Sequence, residues 1–150
     1  MDDSKPRQIE TGRRVVYPWY CDVMGHLATQ HYMAFLDDAF LHFMAELAPA
    51  PQPERLGWAD VRHEIDYLAE LRAGDLVVLR SSLLAIGRKS IRHQTEIRRQ
   101  GCGTVCARVI STTVRFDLDA RRAIDVEPGI AARAQALDLL PRAASKPSCP

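Results

Sequence analysis

The sequence predicts an α+β domain: a five-stranded antiparallel sheet wrapped around one long central helix. Three observations carry this. Between about Ala28 and Ala48, Tyr32, Phe35, Leu36, Ala39, Phe40, Phe43 and Leu47 recur at three- and four-residue steps, which is the period of an amphipathic helix. After that helix the chain reads as four strands separated by turn signals. A single long helix must bury its apolar stripe against one face of such a sheet.

Taken in order, Arg13 to Tyr17 (RRVVY) reads as a short strand ended by Pro18. Residues 18–27 read as a loop that turns at Gly25. The helix that follows is roughly 30 Å long, enough to cross a sheet. Pro49, Pro51 and Pro53 end it and stiffen the connection. Trp58 to Leu68 alternates, with Ala59, Val61, His63, Ile65 and Tyr67 on one side and Trp58, Asp60, Arg62, Glu64 and Asp66 on the other. Ala73-Gly74-Asp75 is a turn, Leu76 to Ile86 an apolar strand, and Gly87-Arg88-Lys89 a second turn. Ser90 to Arg99 is the next strand, residues 100–103 a third turn, and Thr104 to Phe116 a long final strand. Residues 117–122 read as a loop and Pro128 to Leu139 as a short helix or turn. Turns this short imply antiparallel neighbours. Residues 1–12 are expected to be a flexible arm, 13–140 one domain, and 141–150 (PRAASKPSCP) a disordered tail.

Composition limits the function. The chain has 150 residues and a formal net charge of +1, so it offers no bulk attraction for nucleic acid or a membrane surface. The basic residues form no stripe with interleaved aromatics. No apolar run approaches the roughly 20 residues that span a bilayer, and no secretory signal is evident. Cys21, Cys102, Cys106 and Cys149 show neither C-x-x-C nor zinc spacing. A reduced, cytoplasmic setting is the simplest expectation. One helix covers little of a five-stranded sheet and long strands leave edges, so a homodimer or homotetramer is expected.

The chemistry concentrates between Tyr17 and Asp38, YPWYCDVMGHLATQHYMAFLDD. Asp22 stands three residues before Gly25-His26, just ahead of the helix. Free backbone N–H groups and the positive end of the helix dipole lie there. A carboxylate beside N–H donors is the minimum equipment for hydrolysing an ester or thioester. Two readings stand for Asp22, a reactive acid or a turn-former bonded to its own loop. His26 is likewise either a substrate-facing group or a loop fastener. Cys21 has no evident histidine partner to activate it. His63 alternates with Val61 and Ile65, which favours an interior, hydrogen-bonded role. Asp37 and Asp38 on the helix are reserve acids. Tyr32, Phe35, Leu36 and Tyr67 read first as core residues, and Arg88 and Lys89, with Arg92 close by, form a local cationic turn that an ordinary soluble turn would also explain.

Asp22-Val23-Met24-Gly25-His26-Leu27, Tyr32, Phe35-Leu36-Asp37-Asp38-Ala39, then Arg62 to Leu68 with Gly74-Asp75, and finally Gly87-Arg88-Lys89-Ser90, together resemble the 4-hydroxybenzoyl-CoA thioesterase branch of the hotdog-fold acyl-CoA thioesterases. The resemblance covers roughly residues 13–127. It implies an acyl-CoA substrate cleaved to free acid and CoA, with Asp22 as nucleophile or general base, Tyr32, Phe35, Leu36 and Tyr67 as candidates to line the acyl pocket, and Arg88, Lys89 and Arg92 as candidates to hold the CoA phosphates. It implies Thr29, seven residues on, as the backbone oxyanion donor, and no metal or other cofactor. The family's two Asn after G-H-V are Ala28 and Thr29 here. That difference motivates a second reading, acyl-CoA binding or regulation without cleavage. A hydratase or dehydratase ranks third, because the expected His-x-Asp arrangement is absent.

Overall fold

The computed structural model describes residues 6–48 and 53–140. The elements are β1 (Ile9–Val15), a 3-10 turn (Pro18–Tyr20), α1 (Thr29–Leu47), β2 (Leu56–Tyr67), β3 (Leu76–Ile86), β4 (Ser90–Arg99), β5 (Val105–Asp117), β6 (Arg122–Ala123) and α2 (Pro128–Ala136). All strand pairs are antiparallel, and the sheet order is β1-β3-β4-β5-β2, with β6 on β5. The architecture is the expected one, a sheet about one long helix. It adds a two-residue strand at the end of the stretch read as a loop, and the segment read as a short helix or turn is the helix α2.

Most of the stripe that predicted α1 is what it buries: Tyr32, Phe35, Leu36, Ala39, Phe43 and Leu47 face inward, joined by Met44, while Phe40 is half-buried. The first half of α1 packs on Val77, Leu79 and Ile97. The second half packs on Leu83, Ile91 and, from α2, Ile130 and Ala134. α1 lies closest to β1 and β3, so the inner face of β5 and β2 is the less covered side.

Three expectations change. The first strand begins at Ile9 rather than Arg13, since Ile9 pairs with Ser81 and buried Thr11 bonds the Ser81 hydroxyl at 2.9 Å. The part of the arm at residues 1–5, Pro49, Pro51 and the tail at 141–150 lie outside the described residues. Second, β2 and β3 are not neighbours, although a turn precedes β3. The Gly74 N–H bonds the Val16 carbonyl, which hands β3 to β1, while β2 crosses to β5. Third, a β-bulge between Asp60 and Arg62 shifts the alternation of β2. An extra residue reverses which face the side chains before it occupy. Trp58 and Asp60 therefore share the inner face with His63, Ile65 and Tyr67, and Val61 is 60% exposed.

Candidate active site

The loop before α1 is built around Asp22. Its N–H bonds the His26 carbonyl at 2.8 Å, and the Gly25 N–H bonds its carbonyl at 3.0 Å. Gly25 takes φ +78°, a backbone conformation that suits glycine. Asp22 Oδ1 accepts from the N–H of Met24 at 2.8 Å and of His26 at 3.2 Å. One carboxylate oxygen is thus fastened to the turn, and Oδ2 has no partner among the described residues. The residue itself is exposed.

The loop is pinned to the body where Leu27 N–H bonds Leu71 O at 2.7 Å and Ala28 N–H bonds Tyr20 O at 2.9 Å. Ala28 is the N-cap and supplies no side-chain bond. Thr29 N–H has no partner among the described residues. Thr29 lines a mouth cavity of about 290 Å³ with His26, Tyr32, Tyr67, Glu70 and Leu71. Within it the Tyr32 and Tyr67 rings meet edge to face at 5.1 Å. Burial pushes the Tyr32 phenol up to about 12, so it is a neutral donor at ordinary pH. His26 Nε2 lies 3.2 Å from Glu70 Oε2. The Arg72 bond, then the nearby His26, hold the Glu70 carboxyl below its usual range. Glu70 and Arg72 were missed in the sequence because L-A-E-L-R-A-G-D reads only as an approach to a turn. Their place at the mouth comes from the long-range bridge between His26 and Arg72.

The other candidates divide. His26, Thr29, Tyr32 and Tyr67 meet in the mouth. Asp22 sits on the adjoining loop but outside the cavity lining. Phe35 is a core residue, edge-on to Tyr20 at 6.0 Å, and Leu36 is buried. Asp38 pairs with Arg14, and Asp37 borders a different cavity. Arg88, Lys89 and Arg92 are not brought to the mouth within this chain. They lie where β3 turns into β4, by the Leu47 end of α1, and α1 is about 28 Å long. Lys89 Nζ donates to the Ala123 carbonyl at 3.0 Å, and Arg92 lies 3.9 Å from Glu64.

α1 and β2 face each other across a seam, with Tyr32 against Tyr67 at the mouth, and a second cavity of about 530 Å³ lies farther along it, bordered by Phe40, Leu41, Met44 and Trp58. Behind Phe40 lies His93, stacked on that ring at 5.1 Å and only 4% exposed. Burial pushes its imidazole down to about 4 from 6.5, His63 lowers it further, and Asp60 opposes them. The unfolded chain therefore binds this proton more readily. Its contribution to stability is full above about pH 6.5 and falls as pH drops toward about 4, by about 3 kcal/mol. His93→Phe should remove that component: the stability gap between the variant and the parent, read by denaturant titration, should change across this window. A gap constant in pH would contradict the burial argument.

The chain matches the model of the thioesterase-like superfamily over residues 16–134 and belongs to that family. Its fold is the hotdog fold of solved thioesterases. A predicted thioesterase from Bacillus stearothermophilus superposes with a TM-score of 0.76 at 20% identity, covering 87% of this chain and 96% of that one. A Staphylococcus aureus protein solved with CoA gives 0.78 at 14% identity, covering 97% of each chain. The 1,4-dihydroxy-2-naphthoyl-CoA thioesterase of Synechocystis gives 0.72 at 16% identity, covering 88% and 98%. Comparison with curated proteins by sequence gave no match.

Proposed function

We propose that the protein is a cytoplasmic acyl-CoA thioesterase, working without metal or redox cofactor. The observation that carries this is the Thr29 N–H, without a partner among the described residues, at a residue that lines the mouth cavity beside the Asp22 loop. The free oxygen of Asp22 takes a proton from water, or attacks the thioester carbon itself. The carbonyl oxygen gains negative charge and is held by the Thr29 N–H. The tetrahedral adduct then collapses, the C–S bond breaks and CoA leaves as a thiolate. With Asp22 as base, the acid forms at once. With Asp22 as nucleophile, water cleaves the resulting anhydride. Asp22 is exposed in the single chain, and a second copy is the natural source of the dry surroundings that would raise its basicity.

The second copy has an obvious seat. β2 is twelve residues long and, among the described residues, its outer edge is unpaired. Leu41, Val61, Tyr67 and Leu68 stand exposed beside it. Antiparallel pairing of two such edges about a two-fold axis would cover them. It would also turn the Arg88-Lys89 end of one protomer toward the mouth of the other, where CoA phosphates need cations. Leu41→Glu should convert a dimer or tetramer into a monomer by sedimentation analysis. A parent protein already monomeric at micromolar concentration would sink the assembly.

The fastened Oδ1 of Asp22, with Ala28 and Thr29 in place of the family's Asn pair, favours one competitor, acyl-CoA binding without cleavage. Thiol release from a panel of short, long and aromatic acyl-CoA esters decides. Turnover supports the esterase. Saturable binding with no released CoA supports the binder.

A further inference from the structure

The seam between α1 and β2 holds a group of polar side chains that an apolar channel has no need of. On the inner face, His63 Nδ1 and Ser111 Oγ are 2.8 Å apart, and His63 Nε2 is 3.7 Å from Asp60 Oδ2. The Thr113 hydroxyl donates to Asp60 and lies 3.4 Å from His93 Nε2. Burying such groups costs free energy unless each finds a partner, and a purely architectural network would close on itself. This one does not. His93 Nδ1 and Trp58 Nε1 are buried with no partner among the described residues, and orphans of this kind call for an explanation. Trp58 borders the 530 Å³ cavity, and Phe40, which also borders it, stacks on His93. His63 and Asp60 line neither cavity, but they stand on β2 between Trp58 of one and Tyr67 of the other and keep 24% and 34% of their side chains exposed.

We propose that the seam accepts an acyl chain carrying a hydroxyl group on its distal half, and that His63 and Asp60 select it, one donating to the oxygen and the other accepting its proton. This rests on the acyl-CoA reading and names the class of acyl group. The span follows from the strand. From Tyr67 at the mouth to His63 is four residues, about 13 Å. An extended chain covers three bonds in roughly 3.5 Å, so the hydroxyl falls about eleven bonds from the thioester carbon. A short or wholly apolar acyl group would leave His63 Nε2 and Asp60 Oδ2 with only each other, at 3.7 Å.

The test is binding, which does not depend on turnover. The probes are two CoA thioethers that cannot be hydrolysed, one with a dodecyl chain and one with the same chain ending in a hydroxyl. Titration calorimetry should give at least about tenfold tighter binding of the hydroxylated probe to the intact protein. His63→Leu and Asp60→Ala should bring the two within about twofold. Equal affinities in the parent protein, or a preference unchanged in both variants, would overturn the proposal. If a variant fails to fold, the parent comparison alone decides. Failure to release CoA from any ester would defeat the esterase reading while leaving this affinity ratio to be judged by itself.

Discussion

Asp22→Asn should lower kcat for acyl-CoA hydrolysis by about two to four orders of magnitude, the range for losing a positioned acid–base group. The fold and assembly should be unchanged. The substitution is a clean one because of how the turn is made. Oδ1 accepts from the Met24 and His26 N–H groups, and the amide oxygen of Asn can accept both. What it cannot do is take a proton or attack at neutral pH. Asp22→Ala removes the acceptor as well, so it should loosen the loop and disturb substrate affinity on top of the chemistry. Loss in kcat and kcat/KM together, with KM little changed, would mark an interaction made in the transition state. If Asp22→Asn kept parental turnover on every active ester, Asp22 would be a turn-former, and His26 or Glu70 at the mouth would inherit the question.

How far the site was legible depends on the range of the interactions that build it. The Asp22 loop, the turn at Gly25 and the stripe of α1 are local, and residues two to four apart settle them. Thr29 and His26 therefore fall where the spacing puts them. Glu70 and Arg72 reach the mouth through pairing across more than forty positions, for which the local sequence carries no mark. The inner-face position of Asp60 hides behind a bulge: an unbroken alternation sends Asp60 outward with Glu64, and one extra residue at Val61 brings it in beside His63. Arg88 and Lys89 form a cationic turn as read, but their distance from the mouth follows from strand direction, which composition does not encode. The same limit applied to β2 and β3, where a hairpin-length turn suggested a pairing that β1 captured.

The same register shift bears on the largest stability effect expected in the molecule. Arg115 on β5 is 0% exposed, yet its residue type is among the least often buried. It sits opposite Trp58 of β2 and over that ring at 5.2 Å. Its Nε donates to Glu127 at 3.0 Å and its Nη1 to the Gly57 carbonyl at 3.2 Å. Glu127 is the N-cap of α2, so this pair ties the second helix to the sheet. Burial alone would raise the Glu127 carboxyl, but the Arg115 bonds outweigh it and hold it below the ordinary 4.5. The pair's share of stability is thus present above about pH 4.5 and lost as pH falls through the lowered value. Removing one partner of a buried pair strands the other, at about 3–5 kcal/mol. Glu127→Ala should destabilise by that order, toward the lower end because Glu127 is itself 43% exposed. Arg115→Met should cost less, since it removes the stranded charge and refills the volume, leaving a carboxylate that water can reach. Denaturant titration of both variants at about pH 7 checks the order. A larger loss for Arg115→Met would mean that the Gly57 and Trp58 contacts, rather than the charge pair, hold this corner together.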